Sequence, residues 1–190
     1  MKTSLGAKTL ASPTPTWVVC AYDATGKPNG ATIAWGGICC SKPPCLAISL
    51  RAATYTHGCI TAAKAFTVNV PRQDQAVIAD YFGMASGRDT DKFAAAGVTA
   101  GKSELVNAPF IQEFPLVFEC AVTHVVELGL HTQFVGEIKD VKADASILTD
   151  GKIDMEKLGT VIYSPATRQY FGLGPLLGAG FSIGNAYMKK

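Results

Sequence analysis

The sequence predicts a mainly β domain with short helices, of β or α+β class, whose antiparallel strands close into a barrel. Runs rich in Val, Ile, Thr and aromatic residues recur along the chain, the composition that suits a pleated, half-buried surface. Helical spacing is confined to short stretches between them. Many antiparallel strands with so little helix to cover them favour closure, because closure removes unpaired edges.

The elements follow in order. Residues 16–22 (TWVVCAY) form a first strand, and residues 23–30 read as a long turn closed by Asn29-Gly30. Residues 31–39 make a second strand with unusually small side chains, in which Gly36-Gly37 marks a bend or bulge. Beyond Pro43-Pro44, residues 45–51 form a third strand. Residues 56–64 suit a short helix with His57 at its start, and residues 66–70 return as a strand. Val77, Ile78, Tyr81 and Phe82 give residues 73–84 a helical spacing. Residues 90–96 form another short helix, capped by Asp89 or Thr90 and stopped by Gly97. Two long strands, 116–128 and 132–141, are joined at Gly129. Asp150-Gly151 is a turn, and residues 160–163 and 169–173 are late strands.

At 190 residues and 48% apolar composition the chain fills one core. No linker or repeat divides it, so residues 1–190 are read as one domain, with 1–15 and 175–190 as terminal extensions and Lys189-Lys190 as a solvated tail. A net charge of +2 with mixed signs is not a nucleic-acid surface, which clusters Lys and Arg. The apolar runs are too short to cross a bilayer, and residues 1–12 lack a signal peptide's unbroken apolar stretch. A cytoplasmic protein is expected. Six cysteines, Cys20, Cys39, Cys40, Cys45, Cys59 and Cys120, lack zinc-ligand spacing and are read as reduced core thiols.

Two catalytic patterns fail on context. Residues 96–103 (AGVTAGKS) match a loosened phosphate loop, but they follow a helix and lead into no good one. Gly180-Phe181-Ser182-Ile183-Gly184 matches a nucleophile elbow, yet His57, His124 and His131 all precede the serine. A Gly-x-Gly-x-x-Gly dinucleotide fingerprint is also missing.

What remains lies chiefly between Asn29 and Asn69. Arg51, Thr54 and Thr56 place one cation and two hydroxyls at a strand end. Such groups suit a phosphate; on their own they more readily suit a solvated turn. Ala31, Ala34, Gly36 and Gly37 are small enough for a flat ring to approach the backbone. Trp35 either packs near such a ring or belongs to the core. Asn69, polar within an apolar strand, satisfies a buried backbone or cofactor group. On spacing alone Lys92 is a helix surface charge and His131 an exposed turn residue. Cys120 and His124 share a strand face and either pack or meet solvent.

Several segments together resemble a known family. They are Asn29-Gly30-x-Thr32-x-Ala34-Trp35, Ser49-Leu50-Arg51-x-x-Thr54-x-Thr56, Phe66-Thr67-Val68-Asn69, Asp91-Lys92-Phe93, His131-x-x-x-Val135-Gly136-Glu137-Ile138 and Tyr170-Phe171-x-Leu173-Gly174. In this order they resemble the flavin reductase-like family with an FMN-binding split barrel, and within it the flavoredoxins, over residues 16–174. The resemblance implies an antiparallel Greek-key split barrel, FMN at a homodimer interface, and electron transfer fed by NAD(P)H or a redox protein. It implies Thr32, Ala34 and Trp35 near the flavin ring, with Ser49, Arg51, Thr54 and Thr56 toward the ribityl and phosphate end. Lys92 is implied near the phosphate or the pyrimidine side. His131 is implied beside the ring as the catalytic candidate, and Asn29, Leu50, Asn69 and Tyr170 complete the cofactor-binding set. The alternative is a split-barrel module that holds a ligand, or dimerises, without turnover.

Overall fold

The computed structural model describes residues 1–188. Its strands are β1 (Thr14–Pro15), β2 (Trp17–Tyr22), β3 (Pro28–Ile33), β4 (Gly36–Ser41), β5 (Pro44–Arg51), β6 (Ala65–Val70), β7 (Ala100–Lys102), β8 (Pro109–Ile111), β9 (Leu116–Leu128), β10 (His131–Ala143), β11 (Leu148–Thr149), β12 (Lys152–Ile153), β13 (Val161–Ser164) and β14 (Gln169–Gly172). The helices are α1 (Tyr55–Ala63), α2 (Ala76–Met84), α3 (Lys92–Ala96) and α4 (Met155–Leu158).

Seven strands build the main antiparallel sheet in the order β3-β2-β6-β9-β10-β5-β4. Its two edge strands, β3 and β4, are separated in the chain by Ala34 and Trp35 alone. A sheet whose edges are tied by so short a link must curl until they approach each other. The Ser49 N–H fixes that corner by donating to the Trp35 carbonyl at 2.8 Å. The result is a barrel that is split rather than fully laddered. β1, β13 and β14 form a separate small sheet.

Packing explains why β2 reads as a nearly unbroken apolar run. Val19 and Ala21 face the barrel interior with Leu46, Ile48, Phe66, Val68 and Phe134. Val18 and Cys20 face outward, where Ala79 and Phe82 of α2 and Phe93 of α3 cover them. Both faces of the strand are therefore buried, and alternation is lost.

The strands and helices read from the sequence are present, and the differences have local causes. Asn29-Gly30 is not a turn: both residues lie inside β3. The reversal is made earlier, where the Asp23 carboxylate accepts from the N–H groups of Thr25 (2.8 Å) and Lys27 (3.0 Å), a side-chain mimic of a backbone turn. Residues 31–39 are split at Ala34-Trp35 between β3 and β4, and the register slips between Ile38 and Cys40. Asp91, not Asp89 or Thr90, caps α3, accepting from Ala94 N at 3.1 Å. A 3₁₀ turn at Gln73–Gln75 precedes α2. Asp150 and Gly151, at φ of 52° and 72°, supply the left-handed pair that a two-residue hairpin between β11 and β12 requires.

The false motifs also find their places. Residues 100–102 of the phosphate-loop pattern are strand β7, so no helix N-terminus follows the pattern. Phe181 in the elbow pattern is fully exposed, ahead of a 3₁₀ turn at Ile183–Tyr187. The expectation of core thiols holds for Cys20, Cys45, Cys59 and Cys120, whereas Cys39 and Cys40 are exposed on edge strand β4. His124 meets solvent while Cys120 is buried. Among the described residues no helix is long and apolar enough to cross a membrane. Lys189 and Lys190 lie outside the described residues.

Candidate functional site

The split in the barrel opens into a cleft of about 440 Å³, within the range of small-molecule sites. One wall is the end of β3 and its link to β4, from Ala31 to Trp35. The opposite wall is Ser49–Arg51 with the start of α1, and the segment from Phe82 to Arg88 forms the rim.

One end of the cleft is cationic. Arg51 closes β5, and His131 is its cross-strand partner at the start of β10. The chain then turns into α1: the Thr54 N–H and hydroxyl both donate to the Arg51 carbonyl at 2.9 Å, and the Thr54 hydroxyl accepts from His57 N. The first turn of α1 holds no acidic residue of its own; the Asp23 carboxylate accepts from the Tyr55 hydroxyl at 3.0 Å but does not line the cleft, so the helix N-terminus suits an anion there. Thr56 is buried, and its hydroxyl accepts from the Asn29 amide at 2.8 Å. Gly87 makes this arrangement possible, since a Cβ there would run into the Asn29 side chain and sit 2.8 Å from Tyr55. Arg88 completes the end. Its guanidinium donates to the Ala53 carbonyl at 3.1 Å and lies over the Tyr55 ring at 5.6 Å. Neither Arg51 nor Arg88 has a salt-bridge partner among the described residues, and the cleft lining contains no Asp or Glu.

Lys92 lines the cleft but is no surface charge. It is 4% exposed, and its ammonium donates to the carbonyls of Gly30 (2.6 Å) and Phe82 (3.0 Å). Burial without a carboxylate lowers its pKa to about 8. Two of three donors are engaged. Because Gly30 turns its carbonyl toward Lys92, Thr32, two residues on, turns its main-chain groups to the same open edge. The Thr32 hydroxyl is already committed to the Ala79 carbonyl, so its backbone is what faces the cleft.

Thr32, Ala34, Trp35, Ser49, Leu50, Arg51, Thr54, Thr56, Lys92 and His131 all line this one space. The Leu50 side chain belongs to the core, so it offers main chain only. Asn29 stands one layer behind, orienting Thr56. Asn69, expected among the cofactor-binding residues, does not line the cleft: its fully buried amide donates to Val18 O and Thr67 Oγ1, both at 2.9 Å, and accepts from Ile111 N at 2.8 Å. Both of its donors and one of its two acceptor sites serve the barrel wall. Tyr170 lines a neighbouring chamber instead, its hydroxyl donating to Asp80 at 2.8 Å. Sequence reasoning missed Arg88 and the backbone of residues 83–87. A Ser-Gly-Arg turn directly after a helix was the available signal.

Fold and site define an antiparallel split barrel with an acid-free, cationic cleft between strand edge and helix. The model of the flavin reductase like domain matches residues 9–164, and the chain belongs to that family. Its structure superposes on the flavoredoxin of Desulfovibrio vulgaris (Miyazaki F) with a TM-score of 0.93 and 48% identity, covering 97% of this chain and all of that one. Flavoredoxin from Methanosarcina acetivorans gives a TM-score of 0.90 at 28% identity, over 99% and 98% of the two chains. The reductase component of a 4-nitrophenol monooxygenase from Rhodococcus opacus is 33% identical over 128 residues, 67% of this chain and 64% of that protein. The chain thus spans somewhat less than two thirds of that relative's length.

Proposed function

We propose that the chain binds FMN in this cleft and works as a flavoredoxin-like electron carrier or flavin-dependent oxidoreductase, fed by NAD(P)H or a redox protein. The observation that carries the reading is the charge layout: Arg51, Arg88, Lys92 and the α1 N-terminus converge on a space with no carboxylate in its walls. A phosphate fits the Arg51–Thr54–Thr56–Arg88 end through charge-assisted bonds and helix N–H groups. A flat ring fits the other end, where Ala31, Thr32 and Ala34 leave backbone accessible beside Trp35. The similarity to two flavoredoxins supports a flavin cofactor and electron transfer.

When bound, FMN supplies the redox chemistry, accepting electron pairs or passing electrons on singly. The protein's share is placement and electrostatics. Arg51 and Arg88 hold the anionic tail, Thr56 is oriented for it by Asn29, and Lys92 holds positive charge beside the ring end. His131 stands at the mouth, where a reductant or acceptor arrives, and is the candidate for steering it. The expected assembly is a cytoplasmic homodimer, as the resemblance to flavoredoxins implies.

The visible spectrum tests this. The purified protein should be yellow, or stay so after FMN is added and the excess removed by gel filtration, and Arg51→Ala should weaken binding by about tenfold or more. A protein that leaves gel filtration colourless after incubation with FMN would overturn the reading and leave a ligand-binding or dimerisation module. Bleaching by anaerobic NADPH identifies a reductase; bleaching only by a reduced redox protein identifies a carrier.

A further inference from the structure

A second chamber, of about 350 Å³, adjoins the cleft and shares Thr32, Ile33, Ala34, Gly83 and Met84 with it. A molecule held there touches the same β3 edge that the flavin ring is placed against. The geometry points to this chamber as a binding site for a small planar monocarboxylate, an aromatic or conjugated acid.

The chamber's polar groups dictate that class. Arg168 lines it from the β13–β14 hairpin, whose tip is fixed by the Arg168 N–H donating to the Ser164 carbonyl at 2.8 Å and by a left-handed φ of 55° at Arg168 itself. Its guanidinium has no salt-bridge partner among the described residues. A guanidinium takes a carboxylate through two parallel bonds. Thr16 is 1% exposed and lines the chamber, and its buried hydroxyl lacks a hydrogen-bond partner, which a polar atom of a guest would supply. Tyr163 and Tyr170, with ring centroids 5.3 Å apart, join Ile33 and Met84 as cover for a flat apolar body.

Asp80 limits the charge. Its carboxylate lines the same chamber, engaged by the Tyr170 hydroxyl at 2.8 Å. A guest with one negative charge can reach Arg168 and keep clear of Asp80; a second negative charge meets repulsion there. The chamber's size sits at the lower end of small-molecule sites, about 300 to 1,000 Å³, which suits one ring system rather than a dinucleotide.

The position beside a flavin rests on the function proposed above, whereas binding in the chamber does not. Benzoate is therefore titrated calorimetrically into the protein both free of FMN and loaded with it, alongside Arg168→Gln, Thr16→Val and the dianion phthalate. Benzoate should bind saturably in both forms. Arg168→Gln should weaken it by about tenfold or more and Thr16→Val by several-fold, while FMN affinity stays unchanged in both variants. In the loaded protein benzoate should also perturb the flavin absorbance with the same dissociation constant. No saturable heat in either form, binding indifferent to Arg168→Gln, or phthalate binding as well as benzoate would overturn the proposal. Heat that persists in a protein unable to bind FMN would uphold the chamber and sink the flavin reading instead.

Discussion

Lys92 combines burial, two carbonyl partners and no carboxylate, and this sets a test at the scale of a single residue. With its pKa lowered to about 8, it loses its proton within reach of ordinary buffers. The titratable groups whose charge acts on it are the thiols of Cys20 and Cys59, which burial holds protonated, both thiol pKa values being raised. An anionic guest favours the protonated amine, so FMN affinity should be highest below pH 8 and fall as pH rises through it. Fluorescence titrations across that range should show the fall, and Lys92→Ala should flatten it. The same variant should weaken FMN retention or lower the flavin's reduction potential; unchanged values for both would reject the role. Asn69 makes the opposite case. Its sequence signal, a polar residue in an apolar strand, correctly announced a buried partner. It could not say which, because Ile111 N arrives from β8, 42 residues away. Asn69→Ala should cost about 2–3 kcal/mol in chemical denaturation, from the carbonyl and amide left unpaired, with FMN affinity in the surviving folded protein unaltered.

At the scale of elements, long strands and periodic helices were legible because their burial patterns repeat over many residues. β9, α1 and α2 fall within a few residues of their expected limits. Elements of two to four residues, such as β1, β7 and α4, carry no period to read. Asn29-Gly30 misled because the pair has turn chemistry, yet tertiary demands hold it in β3: Asn29 reaches Thr56, and Gly30 admits the Cys20 and Phe82 side chains, which a Cβ would meet at 2.9 and 3.1 Å. Gly87 is the hidden counterpart of Asn29. Gly87→Ala should push the Asn29 amide off Thr56, loosen the start of α1, and weaken FMN binding about tenfold, while the barrel stays folded. Circular dichroism and FMN titration check the two halves of that expectation. Wild-type affinity in Gly87→Ala would mean that the Asn29–Thr56 contact does not position the phosphate end.

Across the whole molecule, charge is nearly balanced, at +2 over 190 residues, yet the cleft gathers Arg51, Arg88 and Lys92 without one acid. Sequence arithmetic hides this, since Arg51 and Arg88 come from separate segments that only the curl of the sheet brings together. A near-neutral surface gives little long-range steering, so salt should act on the bound state more than on encounter. Raising ionic strength from low to physiological shortens the screening length to about 8 Å, comparable with the dimensions of the cationic end. FMN should therefore bind more weakly as salt rises, mainly through faster dissociation, as stopped-flow displacement would show. Riboflavin, which keeps the ring and lacks the phosphate, should bind at least about a hundredfold more weakly, because it forfeits two charge-assisted contacts of about 1.5–3 kcal/mol each. Its affinity should hardly respond to salt. Equal salt dependence for the two flavins would place the phosphate outside the Arg51–Arg88 end, and the flavin's orientation in the cleft would have to be reversed.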